Sequence, residues 1–364
     1  MPLSLLLLAS AATWTGRLFA FASLIFSLVP ALLCWGRKET SRWRARSACI
    51  LLLIACMASL FLVFRAPTGS PGKLGRVQHS YSSPQNHFAR FALGNILPEV
   101  DQLMLGYSLA LFLDPLLTAS QASELRRATK TIYRELEADP DFHALGSVMP
   151  DAYLSLIGGQ SDRGHAYVLL PRAVDPTKPL RTIVFLHGTG GNFKGYLWVL
   201  AELADRCHAV VIAPSYGMGD WGSADVMTII QRAMETIGSK VQIDSADVHV
   251  IGLSNGGLGV SQLLHAPPGR FRSLVFLSPV FDRRELDRLS RVRLAKQPPI
   301  FVLSGDRDDR IPPSYVEESV RLIRSRSASA SPTVRFIDGA DHFAIFARRR
   351  EVIAALSEWL EQQR

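Results

Sequence analysis

The hydrophobic and polar positions divide the chain into three kinds of material. From residue 151 onward, short unbroken apolar runs alternate with stretches of helical spacing. An opening hairpin is expected from Ala152–Leu156 and Ala166–Leu170, followed by strands over 182–186, 208–213, 248–253, 273–278, 299–304 and 333–337. Most of these runs lack the period-two polarity of a half-exposed strand, so they read as strands buried on both faces. Helices fall between them, over 194–204, 223–237, 257–265, 313–325 and 349–362; the last carries Val352, Ile353, Leu356, Trp359 and Leu360 on one stripe. The pattern predicts an α/β domain over 151–364, a mostly parallel sheet sandwiched by helices.

The first 65 residues have a different character. Leu18–Trp35 and Ser47–Phe64 each run 18 residues without a charge, at the short end of what crosses a bilayer. They predict two transmembrane helices, 18–35 and 47–64, and an anchor over 1–65. The Leu-rich stretch before Arg17 lacks a basic start, which argues against a cleaved signal peptide; it is either a further short span or part of a tilted first one. Gly36–Arg46, between the spans, holds five basic residues in 11. By the positive-inside tendency this loop is cytoplasmic and everything after Phe64 emerges on the far side, the periplasm of a bacterial inner membrane. Residues 1–65 hold seven basic residues against Glu39 alone, and so supply six of the chain's eight net positive charges. The basic balance therefore reports membrane orientation, and nucleic acid is not an expected partner.

Residues 66–150 are the least patterned. Ala66–Lys73 reads as a linker, and Pro98–Leu113 and Ala119–Ala138 as helices. Leu103–Leu113 is too short to span and is expected to pack on the α/β domain, with the bilayer interface or a lid over the site as the alternatives.

Candidate chemistry lies at the ends of the predicted strands. Val248–Leu253 runs into Gly252-Leu-Ser254-Asn-Gly256 and then a helix-compatible segment, the setting of a nucleophile elbow. Upstream, Thr182–Leu186 leads into His187-Gly188-Thr189-Gly190-Gly191, whose backbone N–H groups can face an anion. Downstream, Pro299–Ser304 opens into Gly305-Asp-Arg-Asp308-Asp-Arg-Ile-Pro312, and Thr333–Ile337 is followed by Gly339-Ala-Asp-His342. Serine needs a base within reach, and histidine suits that task at neutral pH. The order Ser254, Asp308, His342 is that of the α/β-hydrolase triad.

On these motifs the chain resembles the α/β-hydrolase superfamily over roughly 150–364. The form Gly-Leu-Ser-Asn-Gly-Gly is most similar to polyhydroxybutyrate-depolymerase-like serine esterases. The acid-loop pattern, Gly305 through Pro312, favours Asp308 over Asp306 and Asp309. The resemblance implies Ser254 as nucleophile, His342 as base and Asp308 as its orienting acid. The N–H groups of Asn255 and Thr189 are expected to form the oxyanion hole, with Gly190 as fallback for the second. His187, Gly188, Gly252 and Gly256 are expected to shape the turns, His187 without transferring a proton.

Other classes fit less well. Cys207 is the only cysteine outside the N-terminal region, so no disulfide framework is expected in the α/β domain. No metal or nucleotide motif appears, and no cofactor is expected. Aspartate does not occupy the position of Ser254, which disfavours epoxide-hydrolase and dehalogenase chemistry. Residues 280–298 leave room for one short helix, rich in Arg283, Arg284, Arg288, Arg291, Arg293 and Lys296, and for no cap domain. The expected function is a membrane-anchored hydrolase of a small-molecule or lipid-like carboxylic ester, acting through an acyl-enzyme. The same triad also serves acyltransferases, thioesterases and peptidases, and a non-catalytic relative of the fold is the rival outside enzymes.

Overall fold

Eight strands form one sheet in the computed structural model of the chain, which describes residues 1–34, 42–69, 75–83, 85–159, 164–175, 177–289, 297–326 and 331–363. In chain order the strands are β1 (Val77–Tyr81), β2 (His165–Leu169), β3 (Leu180–Leu186), β4 (Ala209–Pro214), β5 (Ile243–Leu253), β6 (Ser273–Leu277), β7 (Ile300–Gly305) and β8 (Thr333–Ile337). Their spatial order is β1-β2-β4-β3-β5-β6-β7-β8, antiparallel at β1/β2 and β2/β4 and parallel from β4 onward. This is the α/β-hydrolase arrangement.

The helices are α1 (Pro2–Ser10), α2 (Trp14–Cys34), α3 (Arg42–Arg65), α4 (Leu93–Ile96), α5 (Glu99–Leu113), α6 (Ala119–Glu137), α7 (Pro140–Leu145) and α8 (Met149–Leu156). After them come α9 (Lys194–Cys207), α10 (Val226–Gly238), α11 (Gly256–Leu263), α12 (Arg283–Arg288), α13 (Pro313–Arg326), α14 (Ala344–Ala347) and α15 (Arg349–Gln362).

Every residue of β3, β4, β6 and β7 is buried, which explains why their sequences show no alternation. One face of the sheet, through Val184, Val210, Val250, Phe276 and Val302, packs against α10, α11 and α13. On the other, Phe185 meets Tyr196 of α9 and Phe301 stacks on Trp359 of α15, with ring centroids 5.6 and 5.0 Å apart. The stripe expected on the last helix is the buried one: Val352, Ile353, Leu356 and Leu360 are at most 1% exposed. Each such side chain contributes roughly 1.5–3 kcal/mol by leaving water.

The opening hairpin is corrected. Ala152–Leu156 belongs to α8, whose first turn, from Met149, carries Pro150 and Asp151, two helix-start residues. The antiparallel partner of β2 is β1, with Val77 opposite Leu169 and Tyr81 opposite His165. Three of its five residues are polar, so the sheet's edge strand carries no apolar run to announce it.

The chain divides into two compact units, residues 1–68 with 89–134, and residues 69–88 with 135–364. The second holds the whole sheet. In the first, α2 and α3 pack through Ala22, Ile25, Val29, Ala48 and Ala55. Among the described residues one helix, Ala45–Arg65, is long and apolar enough to cross a membrane; Trp14–Pro30 is a shorter apolar helix. Leu103–Leu113, expected to pack on the α/β domain, falls in this first unit, where α5 packs on α1 beside Leu7, Ala11 and Leu97. The region 66–150 is thus shared between the units, because β1 adds to the sheet while α4 and α5 add to the N-terminal helices.

Part of the basic loop (35–41), part of the linker (70–74) and the positions of Arg291, Arg293 and Lys296 lie outside the described residues. In the remainder of that basic stretch, Arg283 and Arg288 are surface side chains paired with Glu318, Asp287 and Glu285.

Candidate active site

The site is built at the carboxyl ends of β3, β5, β7 and β8. β5 ends at Leu253 and α11 begins at Gly256, so the chain reverses within two residues. Ser254 takes the left-handed φ of 50°, a conformation that costs a side-chain-bearing residue about 1–2 kcal/mol. Three backbone hydrogen bonds hold it there: its N–H donates to Leu277 O, and its carbonyl accepts from the N–H groups of Gly257 and Val280, each at 2.9 Å. The flanking glycines are required by contact. A Cβ on Gly252 would lie 2.4 Å from Gly256 O, and one on Gly256 would lie 2.2 Å from Leu186 O.

His342 lies between β8 and α14, and Asp308 just past β7. Their loops are stitched together by Asp306 N–H to Ile337 O (3.2 Å) and Arg307 N–H to Ala340 O (2.9 Å). Close approach also demands Gly305, where a Cβ would stand 2.1 Å from Ala340 O. Across this seam His342 Nδ1 meets Asp308 Oδ2 at 2.8 Å, while Nε2 meets Ser254 Oγ at 3.1 Å. The other carboxylate oxygen, Oδ1, accepts from the N–H groups of Arg310 (2.9 Å) and Ile311 (2.8 Å). Asp308 is 1% exposed, and these three donors offset the cost of burying its charge. Asp306 and Asp309 are exposed and take no part.

The turn after β3 closes the other side. Gly188 approaches the elbow so nearly that an added Cβ would sit 3.3 Å from Ser254 Cβ. Among the described residues no acceptor is paired with the N–H of Thr189 or of Asn255, and the Asn255 side chain donates to Thr189 Oγ1 at 2.6 Å, tying the two loops. Gly190, the expected fallback, is ruled out as a free donor because its N–H is bound to Met218 O at 3.0 Å. His187 is fully buried: its Nε2 accepts from Tyr216 N–H (3.1 Å), so the proton sits on Nδ1, which donates to Gly188 O (2.9 Å). Burial pushes its pKa down to about 4, so the ring is neutral at neutral pH and both nitrogens are occupied in holding the turn.

Comparison with known proteins bears on the central part of this site. Residues 183–297 match the alpha/beta hydrolase family, a span that takes in the His187 turn and the elbow but stops short of Asp308 and His342. No curated protein matches the chain. Similar solved structures include a thermostable esterase (18% identity, 54% of this chain and 58% of that one, TM-score 0.42). Esterase 2 of Thermogutta terrifontis, phosphoramylated by tabun, is another (17%, 54% and 89%, TM-score 0.44). A third is the hyperthermophilic esterase from the archaeon Pyrobaculum calidifontis (18%, 56% and 83%, TM-score 0.43). The match therefore spans little more than half the length of the first of these. At this identity and overlap the likeness assigns no residue a role.

The sequence reading missed a buttress contributed by the segment after β4. Besides the Met218 carbonyl, Trp221 Nε1 donates to His187 O at 2.8 Å and its ring packs edge-on to the imidazole at 5.1 Å. Gly219 presses on the turn, a Cβ there lying 2.5 Å from Gly188 O. The signal was Gly217-Met-Gly219 directly past a buried strand, on the edge that carries every other site loop. No group of three or more metal-ligating side chains occurs among the described residues.

Proposed function

We propose that the protein is a serine hydrolase that cleaves a carboxylic ester through an acyl-enzyme. The observation that carries this is the continuous hydrogen-bonded array Ser254–His342–Asp308 at a strained strand-to-helix turn. In this mechanism Ser254 Oγ attacks the ester carbonyl as His342 Nε2 takes its proton, and Asp308 stabilises the resulting imidazolium. The carbonyl oxygen, now negative, is bound by the N–H groups of Asn255 and Thr189, which have no other partner among the described residues. His342 then returns the proton to the departing alcohol, and a water activated by the same imidazole releases the acid. Support for the reaction class comes from the family match across the elbow. A fluorophosphonate probe tests it: the wild-type chain should label at Ser254, and absence of labelling would overturn the assignment.

The substrate class follows from the surroundings. The described part of the β6–β7 connection holds only α12, so nothing of cap-domain size covers the site there. An open site gives long acyl chains little to bury against, where each methylene in a fitted pocket is worth about 1 kcal/mol or more. Across p-nitrophenyl esters of about two to about sixteen carbons, kcat/KM is expected to be highest for short chains and to fall by roughly tenfold or more toward the longest. A steady rise with length would point instead to a lipase-like groove.

The N-terminal helices are read as a membrane anchor, α3 supplying the candidate span and α2 its apolar partner. With the Arg-rich segment on the cytoplasmic side, the α/β domain lies outside the cytoplasm. A reporter active only outside the cytoplasm should work when fused after Arg364 and be silent when fused at Thr40. The reverse pattern would place the hydrolase in the cytoplasm.

A further inference from the structure

The N-terminal unit exposes large apolar side chains well beyond its candidate span. The link between α2 and α3 is seven residues, which reaches roughly 25 Å, whereas α3 is 24 residues and about 36 Å long. The two packed helices must therefore run antiparallel, so the start of α2 and the finish of α3 lie at the same end. α5 is fastened at that end. The fully buried Asp101 carboxylate accepts from the N–H groups of Ala12 (2.6 Å) and Thr13 (3.0 Å), capping the approach to α2, and a Cβ on Gly16 would collide with it. α4 packs on α3 and on α5.

From this anchorage α5 buries Val100, Leu103 and Met104 in its first half and then leaves Phe112 and Leu113 82% and 79% exposed in its last turn. Leu116 follows, also exposed, and Phe91 just before α4 and Leu93 at its start are exposed as well. α3 exposes a series of its own, from Ile50, Leu53 and Met57 to Phe61 and Phe64. Arginines flank the aromatic rings there: the guanidinium of Arg65 lies 5.8 Å from the Phe61 ring and that of Arg90 lies 5.2 Å from the Phe91 ring. Cations beside aromatic rings at the end of an apolar helix suit the headgroup level of a bilayer. A helix of 15 residues is about 22 Å long and cannot cross a core of about 30 Å, so α5 can meet a bilayer only at its boundary.

We propose that Phe91, Leu93, Phe112, Leu113 and Leu116 form an interfacial insertion of the N-terminal unit, seated in the headgroup–acyl boundary of the bilayer that α3 crosses. The inference rests on the anchor reading above and extends it: the membrane-binding part of the chain includes a second segment, separated from the first by a strand of the hydrolase sheet.

The test uses the full chain with its four native cysteines replaced by serine and single spin labels placed through Phe61→Cys, Phe91→Cys, Phe112→Cys or Val174→Cys. Variants that keep the parent Tm are reconstituted into phosphatidylcholine–phosphatidylglycerol vesicles. Power saturation then compares collisions with oxygen, which concentrates in lipid, and with a water-soluble nickel chelate. Labels at 91 and 112 are expected to resemble the label at 61, oxygen-accessible and shielded from nickel, while the label at 174 meets nickel freely. Nickel-accessible labels at 91 and 112 beside a lipid-exposed label at 61 would overturn the insertion and leave the anchor standing. Labels at 91 and 112 shielded from both reagents would mean a protein cover, and would overturn it too. A nickel-accessible label at 61 would remove the anchor reading itself.

Discussion

Replacement of Ser254 by alanine is expected to lower kcat by about 10⁴-fold or more, equivalent to about 5 kcal/mol of transition-state stabilisation. The loss is large because the hydrogen-bond partner of His342 Nε2 is Ser254 Oγ, at 3.1 Å, and alanine has no group to give up a proton there. The fold should be unaffected. All three hydrogen bonds that hold the turn are made by the Ser254 backbone, and alanine meets the same φ of 50° with the same Cβ. Ser254→Gly separates strain from chemistry: it should be equally inactive yet more stable by about 1 kcal/mol, since glycine occupies the left-handed region freely. The measurements are kcat on an activated ester and Tm for both variants. An alanine variant that retains most of its activity would remove Ser254 from the mechanism.

Asp308→Asn should cost on the order of 10³- to 10⁴-fold in kcat with little change in fold, and the reason is directional. Oδ1 already accepts from two backbone N–H groups, so the amide oxygen of asparagine must occupy that position and its NH₂ must face His342. The imidazole then has to accept at Nδ1 and carry its proton on Nε2, where it can no longer take the serine proton. Asp306→Asn and Asp309→Asn, both at exposed positions, should change kcat by less than about threefold. If either neighbour were the severe variant, the acid would be misassigned.

The candidate site was legible because most of its parts follow strands that are buried on both faces, β8 before His342 being the half-exposed exception. Such strands are continuous apolar runs, and the residues just past them, Thr189, Ser254, Asp308 and His342, stand out as polar or glycine-rich punctuation. Within the acid loop, composition alone left three aspartates in play. Burial distinguishes them, since only Asp308 points inward and meets both the loop's N–H groups and the imidazole. The exclusion of Gly190 was illegible for a related reason: its N–H is consumed by Met218, a residue 28 positions away whose carbonyl carries no sequence signal.

Residues 66–134 show the opposite case. β1 pairs with a strand that begins 84 residues after its own last residue Tyr81, and its polar composition suits an edge position that local pattern cannot distinguish from a loop. α5 was recognisable as a helix, but its partner was not. A helix's apolar stripe states that something must cover it and leaves open which surface does so. Asp101 decided the matter by capping Ala12 and Thr13, a contact made 88 residues along the chain.

By itself, then, the sequence determined most strands of the sheet, the helices between them and the four loops that form the candidate site, because periodicity and turn composition act over a few neighbouring residues. Only the tertiary structure decided which strand joins the edge of the sheet, which carboxylate reaches the imidazole, which N–H groups remain free for an anion and which helices the apolar run at Leu103–Leu113 accompanies. Each of those depends on a hydrogen bond or packing contact between residues far apart in the chain, and a pairing of that kind leaves no mark on either partner until the fold brings them together.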